Sequence, residues 1–346
     1  MSEICSCGKI HKTSVKKVVS EPGAVEKLSE FIKSFNSLKP FILADMNTYK
    51  AAGERVSQIL HKDGISYSEY VFGNGAVKPD EKNVGSVMMH YDNNCDLIIA
   101  VGSGVINDIG KILSRLTKNP YIIIATAPSM DGYASAASSM DVDGLKISLS
   151  SRCPDVIIGD TEILKNAPIR MIQSGLGDML AKYISICEWR IAHLLVGEYY
   201  CEYVADLVRA ALQKCIDNAS GVLKREPKAV KAVFDGLIMG GMAMEYAGIS
   251  RPASGVEHYI SHIWDMRGLA FDTKTDLHGI QCAIGTLVAA QIYEKLKKYS
   301  PDKEKALAYV KNFDVEKWNK SLAEFVGGGA AAMIELEKEE QKYGVE

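Results

Sequence analysis

The chain is expected to fold as a Rossmann-like α/β N-terminal domain followed by an all-α C-terminal domain, with a ligand cleft between them. Three observations carry this expectation. Leu97–Val101 and Tyr121–Ala125 are continuous apolar runs, the pattern of strands buried on both faces of a parallel sheet. Such runs alternate with helical periodicity as far as about residue 160. From Met171 onward strand-like runs disappear and long helical patterns take over. At 346 residues the chain exceeds one ordinary core, so two domains are expected, residues 1–168 and 169–346.

In chain order, the strands are predicted at Lys16–Ser20, Phe41–Ala44, Tyr67–Phe72, Asp96–Val101, Tyr121–Ala125 and Asp155–Gly159. Helices fill the gaps at Ala24–Phe35, Tyr49–Lys62, Asp80–Asn93 and Val105–Thr117. Leu145–Ser150 adds a hairpin strand after a turn at Asp141–Gly144. The second half is predicted as helices over about 178–223, 228–248, 254–266, 278–298 and 302–311.

Hydrophobic residues make up 47% and charged residues 24%, as in ordinary globular proteins. A net charge of -3 offers no basic face for nucleic acid. No apolar run is long enough for a membrane span, and Met1 to His11 lacks the apolar core of a signal peptide. The eight cysteines are scattered, several within apolar helical stretches, so a reducing, cytoplasmic compartment is expected. Cys5, Cys7 and His11 carry metal-binding side chains but lack a paired second half, so they read as part of a flexible terminal segment.

Chemistry concentrates in two places. The first is Val101-Gly102-Ser103-Gly104-Val105-Ile106-Asn107-Asp108, which leaves a buried strand and opens a helix. Glycines there permit a tight turn, and the helix N-terminus offers free N–H groups and a favourable dipole to a phosphate. Asn107 stands where a full G-x-G-x-x-G would have its third glycine. Asp45 ends the second strand. It suits either the ribose hydroxyls of an adenosine, repelling a 2′-phosphate, or a helix cap for Asn47 and Thr48. In the turn Thr126-Ala127-Pro128-Ser129 and just beyond it, polar Thr126, Ser129, Asp131 and Ser135 follow the next central strand and would face the same crevice, beyond the strand carboxyl ends.

The second place holds Asp178 in Gly175-Leu176-Gly177-Asp178, His258 in Ser250–His258, and His278 in His278-Gly279-Ile280-Gln281. One carboxylate and two imidazoles suit a divalent metal that keeps an open position, with zinc, nickel and iron all acceptable. Each is expected at a helix start; singly, each also fits a structural role as cap or bonded interior histidine. His258 and His262 are four apart and share a helix face, so His262 is a second ligand, a positioning group or a substrate contact. A phosphate-cradling turn with an open metal site points to nicotinamide-linked redox chemistry on an alcohol or ketone.

Several segments carry a specific resemblance. Asp45-Met46-Asn47-Thr48-Tyr49, Gly102–Asp108, Thr126-Ala127-Pro128-Ser129-Met130-Asp131-Gly132-Tyr133, Gly175–Tyr183, Ser250–His258 and Ser261-His262 resemble the glycerol-1-phosphate dehydrogenase family. That family lies within the iron-containing alcohol dehydrogenase and dehydroquinate synthase-like superfamily. The Cys5–His11 segment looks like bacterial members. Gly-Ser-Gly at 102–104 and Val256 depart from the usual pattern.

The resemblance implies a dehydroquinate synthase-like fold with its active site in the interdomain cleft. It implies Asp178, His258 and His278 as metal ligands. Gly104 to Asp108, Thr126 to Ser129, and Ser135 would contact NAD or NADP; Asp131, Asp178 and His262 would touch substrate. The implied reaction is reversible reduction of dihydroxyacetone phosphate to sn-glycerol 1-phosphate, and the implied assembly is a homodimer. Arg251, Ser254 and Lys182 are candidates by type for the substrate phosphate. A polyol dehydrogenase of the same fold is the nearest rival. A lyase like dehydroquinate synthase ranks lower, because the segments around the metal offer few basic residues (Arg170, Lys182, Arg251, Arg267 and Lys274).

Overall fold

The computed structural model describes residues 4–143 and 145–339. Six strands form one parallel sheet: β1 (Lys17–Glu21), β2 (Pro40–Asp45), β3 (Ser68–Phe72), β4 (Leu97–Gly102), β5 (Tyr121–Ala125) and β8 (Val156–Asp160). Their order is β1-β8-β5-β4-β2-β3. β6 (Ala137–Val142) and β7 (Leu145–Ser150) make a separate antiparallel hairpin. Gly144 of the expected turn between them lies outside the described residues.

Side chains alternate across the sheet as the pleat requires. Leu43, Ile98, Ile123 and Ile157 enter one buried cluster; Ile42, Ile99, Ile122 and Ile158 enter another on the opposite face. Each such fully buried isoleucine contributes about 1.5–3 kcal/mol of apolar burial. Both faces are covered, which explains why these strands read as continuous apolar runs. Helices α1 (Leu28–Ser34), α2 (Met46–Thr48) and α3 (Glu54–Lys62) follow the first strands. α4 (Glu81–His90), α5 (Gly104–Thr117) and α6 (Thr161–Leu164) complete this half.

After β8 the described chain is helical. α7 (Ile169–Val196), α8 (Glu202–Asp217), α9 (Pro227–Ala247), α10 (Val256–Phe271) and α11 (His278–Leu296) are the long elements. α12 (Lys303–Lys311), α13 (Val315–Val326) and α14 (Ala330–Glu339) follow. The last two were not anticipated. α9 does not stay with its helical neighbours alone: Val230, Val233, Phe234 and Leu237 join the core on one face of the sheet. Among the described residues no helix is long and apolar enough to cross a membrane.

Two expectations need correction. The helix expected over 178–223 is two helices, because Gly197 closes α7 in a left-handed conformation at φ 69° and α8 begins only at Glu202. The N-terminal segment, expected to be flexible, is packed down. Lys9 Nζ donates to Ala247 O at 3.0 Å, His11 Nδ1 lies 3.0 Å from Tyr246 O, and Thr13 Oγ1 donates to Glu245 Oε2 at 2.6 Å.

Candidate active site

The chain moves outward from β2 to β3 and then returns to place β4 on the other side of β2. The crevice at such a reversal, beyond the strand carboxyl ends, is where open α/β sheets bind ligands. A cleft of ≈ 900 Å³ opens there, lined by Asp45, Ser103, Val105, Ile106, Thr126 and Ala127 among others. Asp45 is a helix cap: its Oδ1 accepts from Asn47 N at 2.8 Å and Thr48 N at 2.9 Å. Capping and cleft lining are therefore both true of this residue.

The rest of the glycine turn divides. Gly102 ends β4 and Gly104 is the first residue of α5. Asn107 turns its side chain inward, donating to Gly132 O at 3.1 Å and accepting from Tyr121 OH at 2.9 Å. Asp108 pairs with Lys111 at 2.9 Å. Both side chains thus serve the fold, and neither lines the cleft. Ser129 Oγ lies 2.8 Å from Ser103 Oγ, and the Ser129 carbonyl accepts from Ser174 at 2.9 Å. Ser135 Oγ accepts from Ala137 N at 3.2 Å. Pro128 meets α7.

That meeting corrects the placement of Asp178. It was expected at a helix start, yet α7 begins at Ile169 and runs through Gly175 and Gly177 without a break. The two glycines serve close packing instead. A Cβ at Gly175 would strike the Pro128 carbonyl, and one at Gly177 would strike the Gly279 carbonyl. Bare backbone at these positions lets the β5 loop and α11 close onto α7, with Asp178 fully buried between them.

His258 in α10 and His278 at the head of α11 converge on Asp178. His258 Nε2 lies 3.6 Å from Asp178 Oδ1, and the His258 and His278 ring centroids are 5.1 Å apart. Glu257 Oε1 accepts from His258 Nδ1 at 2.7 Å, which leaves Nε2 available to a metal. Ser261 Oγ lies 3.3 Å from His278 Nδ1. A fourth group, Cys282, was missed: its Sγ is 3.5 Å from His278 Nε2. One turn separates the two along α11, and that i,i+4 spacing was the available signal. Ligand atoms of Asp178, His258, His278 and Cys282 all lie within 4.8 Å of one another. A carboxylate, two imidazoles and a thiol are borderline donors that fit zinc, nickel or iron.

Lys182 was offered above as a phosphate donor by its type. It is instead fully buried, bonded to Asp131 Oδ2 at 2.6 Å, Asp178 Oδ1 at 2.8 Å and Ala253 O at 3.1 Å. Burial opposes its charge, but Asp131 and Asp178 hold the ammonium well above the ordinary lysine range. Burial alone would raise the Asp178 carboxyl; Lys182, with the two imidazoles, outweighs it and keeps the group strongly acidic. Asp131 also donates its backbone N–H to Asp178 Oδ2 at 2.9 Å. Arg251 is likewise engaged, with Glu198 at 2.8 Å.

His262 lies one turn beyond His258, with its ring 6.0 Å from that of His278. Burial, then the charges of His278 and His258, push it down to about 3, so it stays neutral. Lys146 on β7 acts in the same direction on His262, which places a cation near this face. Lys146 also lines a ≈ 560 Å³ cleft with Lys78 and Lys274. Sequence reading missed Lys146 because only the tertiary packing of the hairpin brings it to α10.

Residues 19–168 match the iron-containing alcohol dehydrogenase family model. A protein of Halalkalibacterium halodurans named glycerol-1-phosphate dehydrogenase (NAD(P)+) is 32% identical, covering 84% of this chain and 74% of its own. Its namesake in Bacillus licheniformis is 31% identical over 97% of this chain and 86% of its own. Among solved structures, a glycerol dehydrogenase from Schizosaccharomyces pombe superposes with a TM-score of 0.67 at 21% identity. It covers 91% of this chain and 75% of its own, a likeness of fold. With relatives this similar over most of both chains, the chain belongs to the glycerol-1-phosphate dehydrogenase family, within the iron-containing alcohol dehydrogenases.

Proposed function

We propose that this chain reversibly reduces dihydroxyacetone phosphate to sn-glycerol 1-phosphate with NADH or NADPH and one divalent metal ion. The observation that carries the reading is the convergence of Asp178, His258 and His278, with Asp178 on α7, the helix whose Met171 lines the cleft at the sheet's reversal point. Residues 1–168 supply the dinucleotide half and 169–346 the metal and substrate half. The relatives' names supply the substrate.

Asp178, His258 and His278 would hold the metal. When bound, the cation stabilises negative charge developing on the carbonyl oxygen as a Lewis acid, while the reduced nicotinamide supplies the hydride. The chain's own residues prepare that event. Glu257 fixes the His258 ring, and Lys182 and the Asp131 backbone hold both oxygens of Asp178. His262, neutral, positions a substrate hydroxyl through a hydrogen bond and is poorly suited to deliver a proton. The free N–H groups at the start of α5, with Ser103, receive the dinucleotide phosphates. Asp45, at the end of β2, favours NADH by repelling a 2′-phosphate. Lys182 is held by two carboxylates and Arg251 by Glu198 at 2.8 Å; Lys146, in a longer 3.6 Å pair with Asp141 and near enough to His262 to act on it, is the cation we assign to the substrate phosphate. A cytoplasmic homodimer completes the reading.

The test is NADH oxidation with dihydroxyacetone phosphate and, in parallel, unphosphorylated dihydroxyacetone, using chelator-stripped and metal-restored protein. Metal-dependent preference for the phosphate ester, with product of sn-1 configuration, is expected. Preference for the unphosphorylated ketone would transfer the assignment to a polyol dehydrogenase.

A further inference from the structure

The N-terminal thiols do not stand alone. Cys5, Cys7 and His11 meet Cys201, which lies 190 residues beyond His11 in the chain. Cys201 Sγ is 3.4 Å from His11 Nε2 and 3.7 Å from Cys5 Sγ, and Cys7 Sγ is 3.4 Å from His11 Nε2. One ligand atom from each of the four residues falls within 4.8 Å of all the others. A tetrahedral zinc ion has Zn–S bonds of about 2.3 Å and Zn–N bonds of about 2.0–2.1 Å. Its edges are then about 3.8 Å between sulfurs and about 3.5 Å between sulfur and nitrogen. The four atoms are already near those separations.

The surroundings suit an ion. The turn that aims the two early thiols is tight: Gly8 N donates to Cys5 O at 2.8 Å and Cys5 N to Lys9 O at 2.9 Å. Gly8 takes φ 84°, a conformation that a side chain would strain. His11 Nδ1 faces the Tyr246 carbonyl at 3.0 Å, so it carries the proton and Nε2 faces the sulfurs. Tyr199 OH lies 3.3 Å from Cys7 Sγ, and Lys9 Nζ sits 3.5 Å over the Tyr199 ring. Cys201 occupies the N-cap of α8, where the helix dipole favours an anionic sulfur. Cys201 belongs to an apolar cluster with Trp189, Val204, Ala205 and Ala243, and Cys5 and Cys7 pack against it. No residue of this group belongs to the Asp178 group.

We propose that Cys5, Cys7, His11 and Cys201 form a second, structural metal site that takes zinc. Three thiolates and an imidazole are soft donors that select zinc over magnesium or manganese. All four positions come from protein, so no position is left for substrate. The ion fastens the segment before β1 to the break between α7 and α8. That break is the far end of the helix that carries Asp178 and Lys182.

The test uses the full chain, purified anaerobically, with metal content measured by mass spectrometry. The His258→Ala variant is expected to keep one chelator-resistant zinc per chain. Cys7→Ser and Cys201→Ser should each lose that zinc, show a lower Tm and expose the N-terminal segment to limited proteolysis. Cobalt supplied in place of zinc during production of His258→Ala/Cys282→Ala protein is expected to give a strong thiolate-to-cobalt charge-transfer band, absent once Cys201 is also serine. That spectrum needs no N-terminal variant to fold, so misfolding of Cys7→Ser or Cys201→Ser would not rescue a negative result. No retained zinc and no cobalt band overturns the proposal. So does a disulfide among Cys5, Cys7 and Cys201 in the anaerobic protein.

Discussion

Two clusters in this molecule each bring three or more metal-binding side chains together, and they differ in every feature that decides use. The Asp178 group draws on α7, α10 and α11 and sits with a neutral histidine, a buried lysine and a second carboxylate. The Cys5 group takes two members from one tight N-terminal turn, a third from His11 just beyond it and a fourth from the head of α8. Its polar neighbours include the Tyr199 and Ser6 hydroxyls and the Tyr246 carbonyl. A carboxylate, imidazoles and a thiol mix in the first, whereas thiols dominate the second, and catalytic and structural sites alike are built from such donors. Ligand types alone do not separate catalysis from stapling. What surrounds them does.

The sharpest way to break this comparison is to remove one ligand from each cluster. His258→Ala should lower kcat/KM by roughly a hundred- to a thousand-fold, comparable to losing a principal charge-stabilising group, while dinucleotide binding by fluorescence persists. Cys201→Ser should retain turnover at low temperature and lose thermal stability instead. Full activity in metal-free His258→Ala protein would remove the catalytic assignment.

Lys182→Met should be comparable in size but fall on stability. It leaves Asp131 and Asp178 buried without their shared counter-ion, a loss of about 3–5 kcal/mol read as a fall in Tm or denaturant midpoint. A variant of unchanged stability would mean that the two carboxylates find another partner, and the first cluster would then resemble the second in self-sufficiency.

Lys146→Ala should produce the smallest change. KM for dihydroxyacetone phosphate is expected to rise about tenfold, the size of one charge-assisted hydrogen bond, with kcat and metal content little altered. Equal losses with phosphorylated and unphosphorylated substrate would place the substrate phosphate elsewhere.

Much of the site was legible because its residues sit in short, chemically odd segments. Gly-Leu-Gly-Asp and the two histidine motifs stand out from any amphipathic background. The glycines were legible as important and misread as to why. They announced a helix start, whereas Gly175 and Gly177 lie inside α7 because the Pro128 and Gly279 carbonyls press against them. Lys182 looked like a phosphate ligand because its type says nothing about burial. Only the convergence of α7, the β5 loop and the segment before α10 turns it into the counter-ion of two aspartates.

The sequence by itself determined the parallel sheet and the change to helices after β8, and it singled out Asp178, His258 and His278, which the fold brings together. These are carried by local period and by residue type, which a linear reading preserves. Tertiary structure alone decided four things. It carried α9 into the core of the sheet, seated Lys146 near His262, brought Cys282 beside Asp178 and His258 and brought Cys201 to Cys5, Cys7 and His11. Each is a contact between segments far apart in the chain, or between helix faces whose orientation is set by packing. Spacing along a chain holds no record of where two distant helices will meet.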